Sequence, residues 1–101
     1  MIAHVATVDG TADQVDRFIS RVNTDVAPMI QTRKGFIESI ALVDRDAGRG
    51  LLVTLWESRM AAAASDEQSK REGATQGVSA SVGLHRTAQW YEVAAMTKAA
   101  G

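Results

Sequence analysis

The sequence contains no cysteine, which removes disulfide frameworks, thiolate metal sites, cysteine nucleophiles and thiol redox chemistry in one step. Nor does it contain an apolar run near the roughly 18 residues that a membrane-crossing helix needs. No sign of charge dominates. Eleven Lys and Arg stand against twelve Asp and Glu, and the basic residues are scattered rather than gathered into a stripe, which argues against a nucleic-acid surface. The opening residues Met1-Ile2-Ala3-His4-Val5 lack the basic stretch and apolar block of a secretory signal, so the expected location is the cytoplasm. Proline occurs once, at Pro28, which confines the break it imposes to a single helix.

What is present is an ordinary globular mixture. Hydrophobic residues make up 46% and charged residues 23%, a balance that closes a core while staying in water, unlike that of a disordered or fibrous chain. A chain of 101 residues has room for one core, and residues 1–101 are expected to form a single domain.

Residues 2–8 alternate weakly and are closed by Asp9-Gly10, a turn signal, so they read as a first strand. Thr11 or Asp13 can cap the helix that follows. Its stripe is Val15, Phe18, Ile19, Val22, Val26 and either Met29 or Ile30, with Asp16, Arg17, Arg21 and Asp25 between them. Pro28 predicts a kink or restart near Val26-Ala27, and the cations Arg33 and Lys34 suit a helix end there. Gly35 supplies the stop. Phe36–Val43 and Leu51–Trp56 then read as strands joined by a polar hairpin loop. Leu51, Val53 and Leu55 point one way and Leu52, Thr54 and Trp56 the other, so both faces of that strand ask for cover. Ser58 caps a second helix whose Ala61–Ala64 tract combines high helix propensity with little bulk, a composition for close packing. Gly73 is a plausible stop, and residues 74–84, rich in Ala, Ser and Gly, read as a loop or a short extra turn. Residues 86–95 form the last strand candidate, with Thr87, Gln89, Tyr91 and Val93 on one face and Ala88, Trp90, Glu92 and Ala94 on the other. The tail from Thr97 is expected to fray.

Strand, helix, hairpin, helix, strand is the βαββαβ order of the ferredoxin-like, or split βαβ, arrangement: an α+β fold with an antiparallel four-stranded sheet and both helices on one face. Right-handed crossovers put the first and third strands in the middle. The bare face, apolar in the third strand, then calls for a partner. A two-fold homodimer, sheet against sheet, covers it at about 800 Å² per subunit.

Several local sequences sharpen this outline: Gly35-Phe36 at the start of the second strand, the Val43-Asp44-Arg45-Asp46-x-Gly48 hairpin, and the Leu52-Val53-Thr54-Leu55-Trp56-Glu57-Ser58 run. With the strand and long helix before them, they resemble the antibiotic biosynthesis monooxygenase-like family of dimeric α+β barrels, over essentially the whole chain. The resemblance implies a pocket in each subunit between sheet and helices. It also implies chemistry of the kinds found in that family: cofactor-independent oxygenation of polycyclic hydroquinones or anthrones, quinol oxygenation, or haem degradation. The haem-degrading branch carries an Asn on the first strand and a Trp and a His on the second helix. Counted without gaps from Trp56-Glu57-Ser58, those helix positions fall on Ser65 and Ala74, and the Asn position falls near Ala6. Haem degradation is therefore disfavoured, and no cofactor or metal is expected.

His4 shares a strand face with Ile2, Ala6 and Val8, and the resemblance turns that face to the pocket, where an imidazole can accept a phenolic proton near neutral pH. The plainer role is a hydrogen-bonded histidine near a strand end. His85, beside Arg86 in the approach to the last strand, is a second candidate base or a solvent-exposed loop residue. Trp56 and Trp90 are possible platforms for an aromatic substrate, with core or interface packing as the simpler explanation. Tyr91 can orient a substrate oxygen or satisfy an interface group. Asn23 beside the apolar stripe and Arg33 at the helix end are further binding candidates, each also explained as a surface group. Glu38, between Phe36 and Ile40, reads as an inward carboxylate and a further candidate base unless its face meets solvent.

The function expected from these residues is a cofactor-independent monooxygenase acting on a polycyclic phenol, quinol or related aromatic, with His85 or His4 as base and Trp56 or Trp90 as platform. The alternative is a non-catalytic barrel that binds a small apolar or aromatic ligand, or serves a structural role. An isomerase or lyase of small lactones or phenols is the third possibility.

Overall fold

The computed structural model describes residues 1–72 and 85–100. The expectations for the segment 74–84 and for Gly73 as a helix stop lie outside the described residues. The elements follow the anticipated order: β1 (Ile2–Asp9), α1 (Ala12–Arg21), a π-helical turn (Val22–Val26), α2 (Ala27–Ile30), β2 (Phe36–Asp44), β3 (Arg49–Trp56), α3 (Arg59–Glu72) and β4 (His85–Glu92). The sheet is four-stranded and antiparallel, in the order β2-β3-β1-β4, with β1 and β3 central.

Thr11 is the cap of α1, and it forms a reciprocal box: the Gln14 amide donates to Thr11 Oγ1 at 3.1 Å and the Thr11 amide to Gln14 Oε1 at 2.9 Å. The stripe predicted from spacing is the core stripe. Val15, Phe18, Val22, Val26 and Ile30 are buried against Ala6, Val8 and Leu52 of the sheet, with Ile19, Met29 and Phe36 packed around them. Proline's effect appears one turn early: the Ala27 amide reaches back to the Val22 carbonyl, a five-residue step that inserts a π turn just before Pro28. A residue without an amide hydrogen cannot continue the regular ladder, and the extra residue absorbs the misfit. The helix then ends at Ile30 rather than near Arg33-Lys34, because Thr32 Oγ1 caps the Met29 carbonyl at 3.1 Å and the Arg33 amide turns to the Ile30 carbonyl. Arg33 is thereby released from the helix.

Gly35 holds φ +83°, and a Cβ there would lie 2.5 Å from Ala61 Cβ. The alanine tract of α3 therefore packs directly on this backbone. The Glu57 amide fixes the approach with a 2.8 Å bond to the Gly35 carbonyl. Gly48, at φ +65°, brings the β2–β3 hairpin against Gly10, whose amide donates to the Gly48 carbonyl at 2.8 Å.

Register assigns the two faces. His4, Ala6 and Val8 of β1 stand level with Thr54, Leu52 and Gly50 of β3 and with Trp90, Ala88 and Arg86 of β4, and this face meets the helices. Val5, Val53, Ile40 and Tyr91 belong to the other face, where Ile40, Leu42 and Tyr91 are about half exposed. Glu38 does not point inward as expected: a bulge between Phe36 and Glu38 shifts the alternation, so Glu38 pairs with Leu55 on the helix-free face and is exposed. β4 is shorter than the expected 86–95. It starts at His85 and stops at Glu92, with one further bond from the Val93 amide to the Met1 carbonyl.

Candidate functional site

Between the sheet and the helices lies a cleft. Its sheet wall is His4, Ala6, Leu52, Thr54, Trp56 and Arg86, and its helical wall is Val26, Ile30, Ala62, Ser65, Asp66 and Ser69. It encloses about 40 Å³, and about 420 Å³ when its open mouth is counted. The inner part is thus the size of a few waters.

His4 is half-buried on this wall and its ring lies against Trp90, with centroids 4.4 Å apart and planes at 45°. Burial pushes its pKa below the ordinary 6.5; the Asp66 carboxylate opposes that shift, while Arg86 and Lys70 add to it. At neutral pH the imidazole is therefore uncharged and able to accept a proton. Trp90 supports this ring from the same sheet face. Trp56 is only 3% exposed: it packs edge-on to Phe36 at 5.3 Å, and its indole N–H donates to Thr54 Oγ1 at 2.9 Å. It forms the cleft's apolar end, with its one polar group already satisfied.

Arg33, freed by the early end of α2, crosses to α3. Its Nη1 donates to the Ser65 carbonyl at 2.8 Å, to Ser65 Oγ at 2.8 Å and to Ser69 Oγ at 2.7 Å. The residue read from sequence as an anion contact thus braces the helical wall. Asn23 is exposed on the π turn. His85 is exposed opposite Asp9 at the start of β4, and Tyr91 is exposed on the helix-free face, where its hydroxyl donates to Gln89 Oε1. The cleft brings together His4, Trp56, the supporting Trp90 and the bracing Arg33; Asn23, His85 and Tyr91 lie elsewhere.

The cleft also contains polar groups that the sequence reading passed over: Thr54, Ser65, Asp66, Ser69 and Arg86. Arg86 was available from parity, since it shares the face of Ala88 and Trp90 two and four residues on. Burial lowers its pKa, opposed by Asp66, and its buried Nε has no hydrogen-bond partner among the described residues. Ser65 and Ser69 follow Ala61 and Ala62 at helical spacing, a buried small-residue stripe that continues the alanine tract. Among the described residues no three His, Cys, Asp or Glu are grouped to hold a metal ion, and no helix is long and apolar enough to cross a membrane.

Solved structures share this architecture. A monooxygenase from the ActVA-Orf6 gene of Streptomyces coelicolor, solved with the ligand Nanaomycin D, superposes with a TM-score of 0.82 at 14% identity, over 98% of this chain and 92% of that one. SnoaB, a cofactor-independent oxygenase from Streptomyces nogalater, gives 0.64 at 11% identity, over 94% of each chain. A dimeric ferredoxin-like protein from an uncultured marine organism gives 0.71 at 11% identity, over 98% of this chain and all of that one. Identities this low carry the fold alone. No curated protein sequence matches the chain. The family model for antibiotic biosynthesis monooxygenases, in contrast, matches residues 1–71, which include β1, β3, every residue lining the cleft except Arg86, and all but the last residue of α3. The chain belongs to the antibiotic biosynthesis monooxygenase family.

Proposed function

We propose that the protein is a cofactor-independent monooxygenase of a polycyclic phenol, quinol or related aromatic, and that it works as a homodimer of single-domain subunits. The observation that carries this reading is His4: a neutral imidazole, held against Trp90, on the wall of a cleft between sheet and helices. The similarity to SnoaB, a cofactor-independent oxygenase, and to the ActVA-Orf6 monooxygenase supports the same class.

His4 accepts a proton from the bound substrate, and the resulting phenolate or carbanion transfers electrons to dioxygen, the oxidant. A carbon–oxygen bond forms at the activated ring carbon, and the proton held on His4 passes to the outer peroxide oxygen to give a hydroperoxide. For a ring methylene, His4 then takes the second C–H proton as the O–O bond breaks, leaving a carbonyl and hydroxide, and that proton joins the hydroxide as water. The net change is CH2 + O2 → C=O + H2O. Ala6, Val26, Ile30, Leu52, Trp56 and Ala62 form the apolar part of the walls and limit the water around the anion.

Oxygen uptake with 1,8-dihydroxyanthrone, with naphthohydroquinones and with the acidic hydroquinone 1,4-dihydroxy-2-naphthoate tests the reading. Turnover above the spontaneous rate is expected, with a loss of about 100-fold or more in kcat for His4→Ala. No stimulated uptake across that panel would overturn it. The enclosed volume of about 40 Å³ favours a second reading, a binding protein that seats only part of an aromatic ligand and turns nothing over. Ligand binding without oxygen uptake would establish it.

A further inference from the structure

We infer that the cleft recognises a carboxylate on its ligand, seated between the Arg86 guanidinium and the hydroxyls of Ser65 and Ser69, so that the substrate is an aromatic acid. This rests on the cleft being the ligand site and adds to that reading the class of molecule it takes.

Arg86 is the first ground. It lines the cleft half-buried with its Nε sealed from solvent, and among the described residues no hydrogen bond or ion pair engages its guanidinium. A guanidinium keeps its charge at neutral pH; Asp66 acts on it electrostatically without a direct ion pair, and a half-buried cation whose Nε is desolvated gains from a ligand that supplies a directly bonded anion. The anion in the same cleft, Asp66, is engaged elsewhere by Lys70 at 3.3 Å.

The serines are the second ground. Each Oγ accepts a bond from Arg33 Nη1, at 2.8 Å and 2.7 Å, which occupies a lone pair and leaves one hydroxyl proton to donate. No acceptor among the described residues takes either proton, and both side chains stand on the cleft wall. Arg33 is thus a positioning residue that sets the two hydroxyls as donors.

Size and charge narrow the anion. The enclosed space of about 40 Å³ holds a few waters, at about 10–15 Å³ of such space for each. A planar carboxylate fits there, with its ring in the mouth beside His4. Asp66 lines the same cleft, and its repulsion, reduced by the Lys70 pair, grows with the ligand's charge, which favours a monoanion over a phosphate.

Calorimetric titration with 2-naphthoate and its neutral isostere 2-naphthamide at pH 7 is the test, run on the wild-type chain and on Arg86→Gln. The acid is expected to bind at least tenfold more tightly than the amide to the wild type. In Arg86→Gln that gap should close to within twofold while the amide keeps its affinity. Equal binding of acid and amide to the wild type, no binding of the acid at millimolar concentration, or a gap that persists in Arg86→Gln would each overturn the inference. The wild-type comparison stands even if the variant misfolds. Tight binding of 2-naphthoate with no oxygen uptake from 1,8-dihydroxyanthrone, naphthohydroquinones or 1,4-dihydroxy-2-naphthoate would refute the monooxygenase reading and leave the carboxylate subsite intact, whereas equal turnover of neutral and acidic hydroquinones would do the reverse.

Discussion

His4 owes its candidacy to parity: in β1 it shares a face with Ala6 and Val8, and that face turned out to be the one the helices cover. Its depressed pKa makes two consequences measurable. On the proposed mechanism kcat/KM is flat at neutral pH and falls on the acid side with its inflection below 6.5, since the working form is the unprotonated ring. Stability follows the same sign. The unfolded chain protonates this histidine near 6.5 and the folded chain only at lower pH. Between those values the unfolded state binds more protons, so stability is intact above 6.5, falls as pH drops through the window, and levels off below the folded value. Urea midpoints at pH 7.5 and 5 should show that loss, and His4→Gln should reduce it. Parity also explains what the sequence reading mistook. His85 drew attention by its chemistry, but its neighbour Arg86 has the inward parity. Glu38 has inward parity on paper and loses it to a bulge that no residue between Phe36 and Glu38 announces.

Among the elements, α1 and β3 were the most legible, because one has a helical stripe and a capping box and the other a run from Leu51 to Trp56 that is apolar but for Thr54. The stretch after Val22 was less so: the sequence locates the disturbance at Pro28, but the π turn that absorbs it depends on how Val22, Val26 and Ile30 all reach the same core. The early end of α2 has consequences at the site, since it is what lets Arg33 cross to α3. Gly35 is the other junction. A side chain there meets Ala61 Cβ at 2.5 Å on a backbone at φ +83°, so Gly35→Ala is expected to cost about 2 kcal/mol or more from conformation and crowding together. Urea denaturation measures it. Because the contact sets how α3 lies on the sheet, the variant should also weaken any ligand that Ser65 and Ser69 touch, whereas unchanged stability would show that the junction yields easily.

For the whole molecule, the βαββαβ order and the central places of β1 and β3 followed from element sequence and handedness, and the two-sided apolar character of β3 correctly indicated a sheet with more apolar surface than two helices cover. Ile40, Leu42 and Tyr91 remain about half exposed on the helix-free face, and a homodimer covering them at about 800 Å² per subunit is the expected assembly. Native mass spectrometry should find the dimer, and Ile40→Lys with Leu42→Lys should shift it to monomer; a wild-type monomer would contradict this part of the account. The chemistry was less legible than the fold because its polar groups are spread over β1, β3, β4 and α3 and meet only in the folded chain. The most direct test of the central claim is mass analysis of the product formed from 1,8-dihydroxyanthrone under 18O2. The account predicts one 18O in the new carbonyl, formed far faster by the wild type than by His4→Ala; an unlabelled carbonyl, or equal rates for the two proteins, would contradict it.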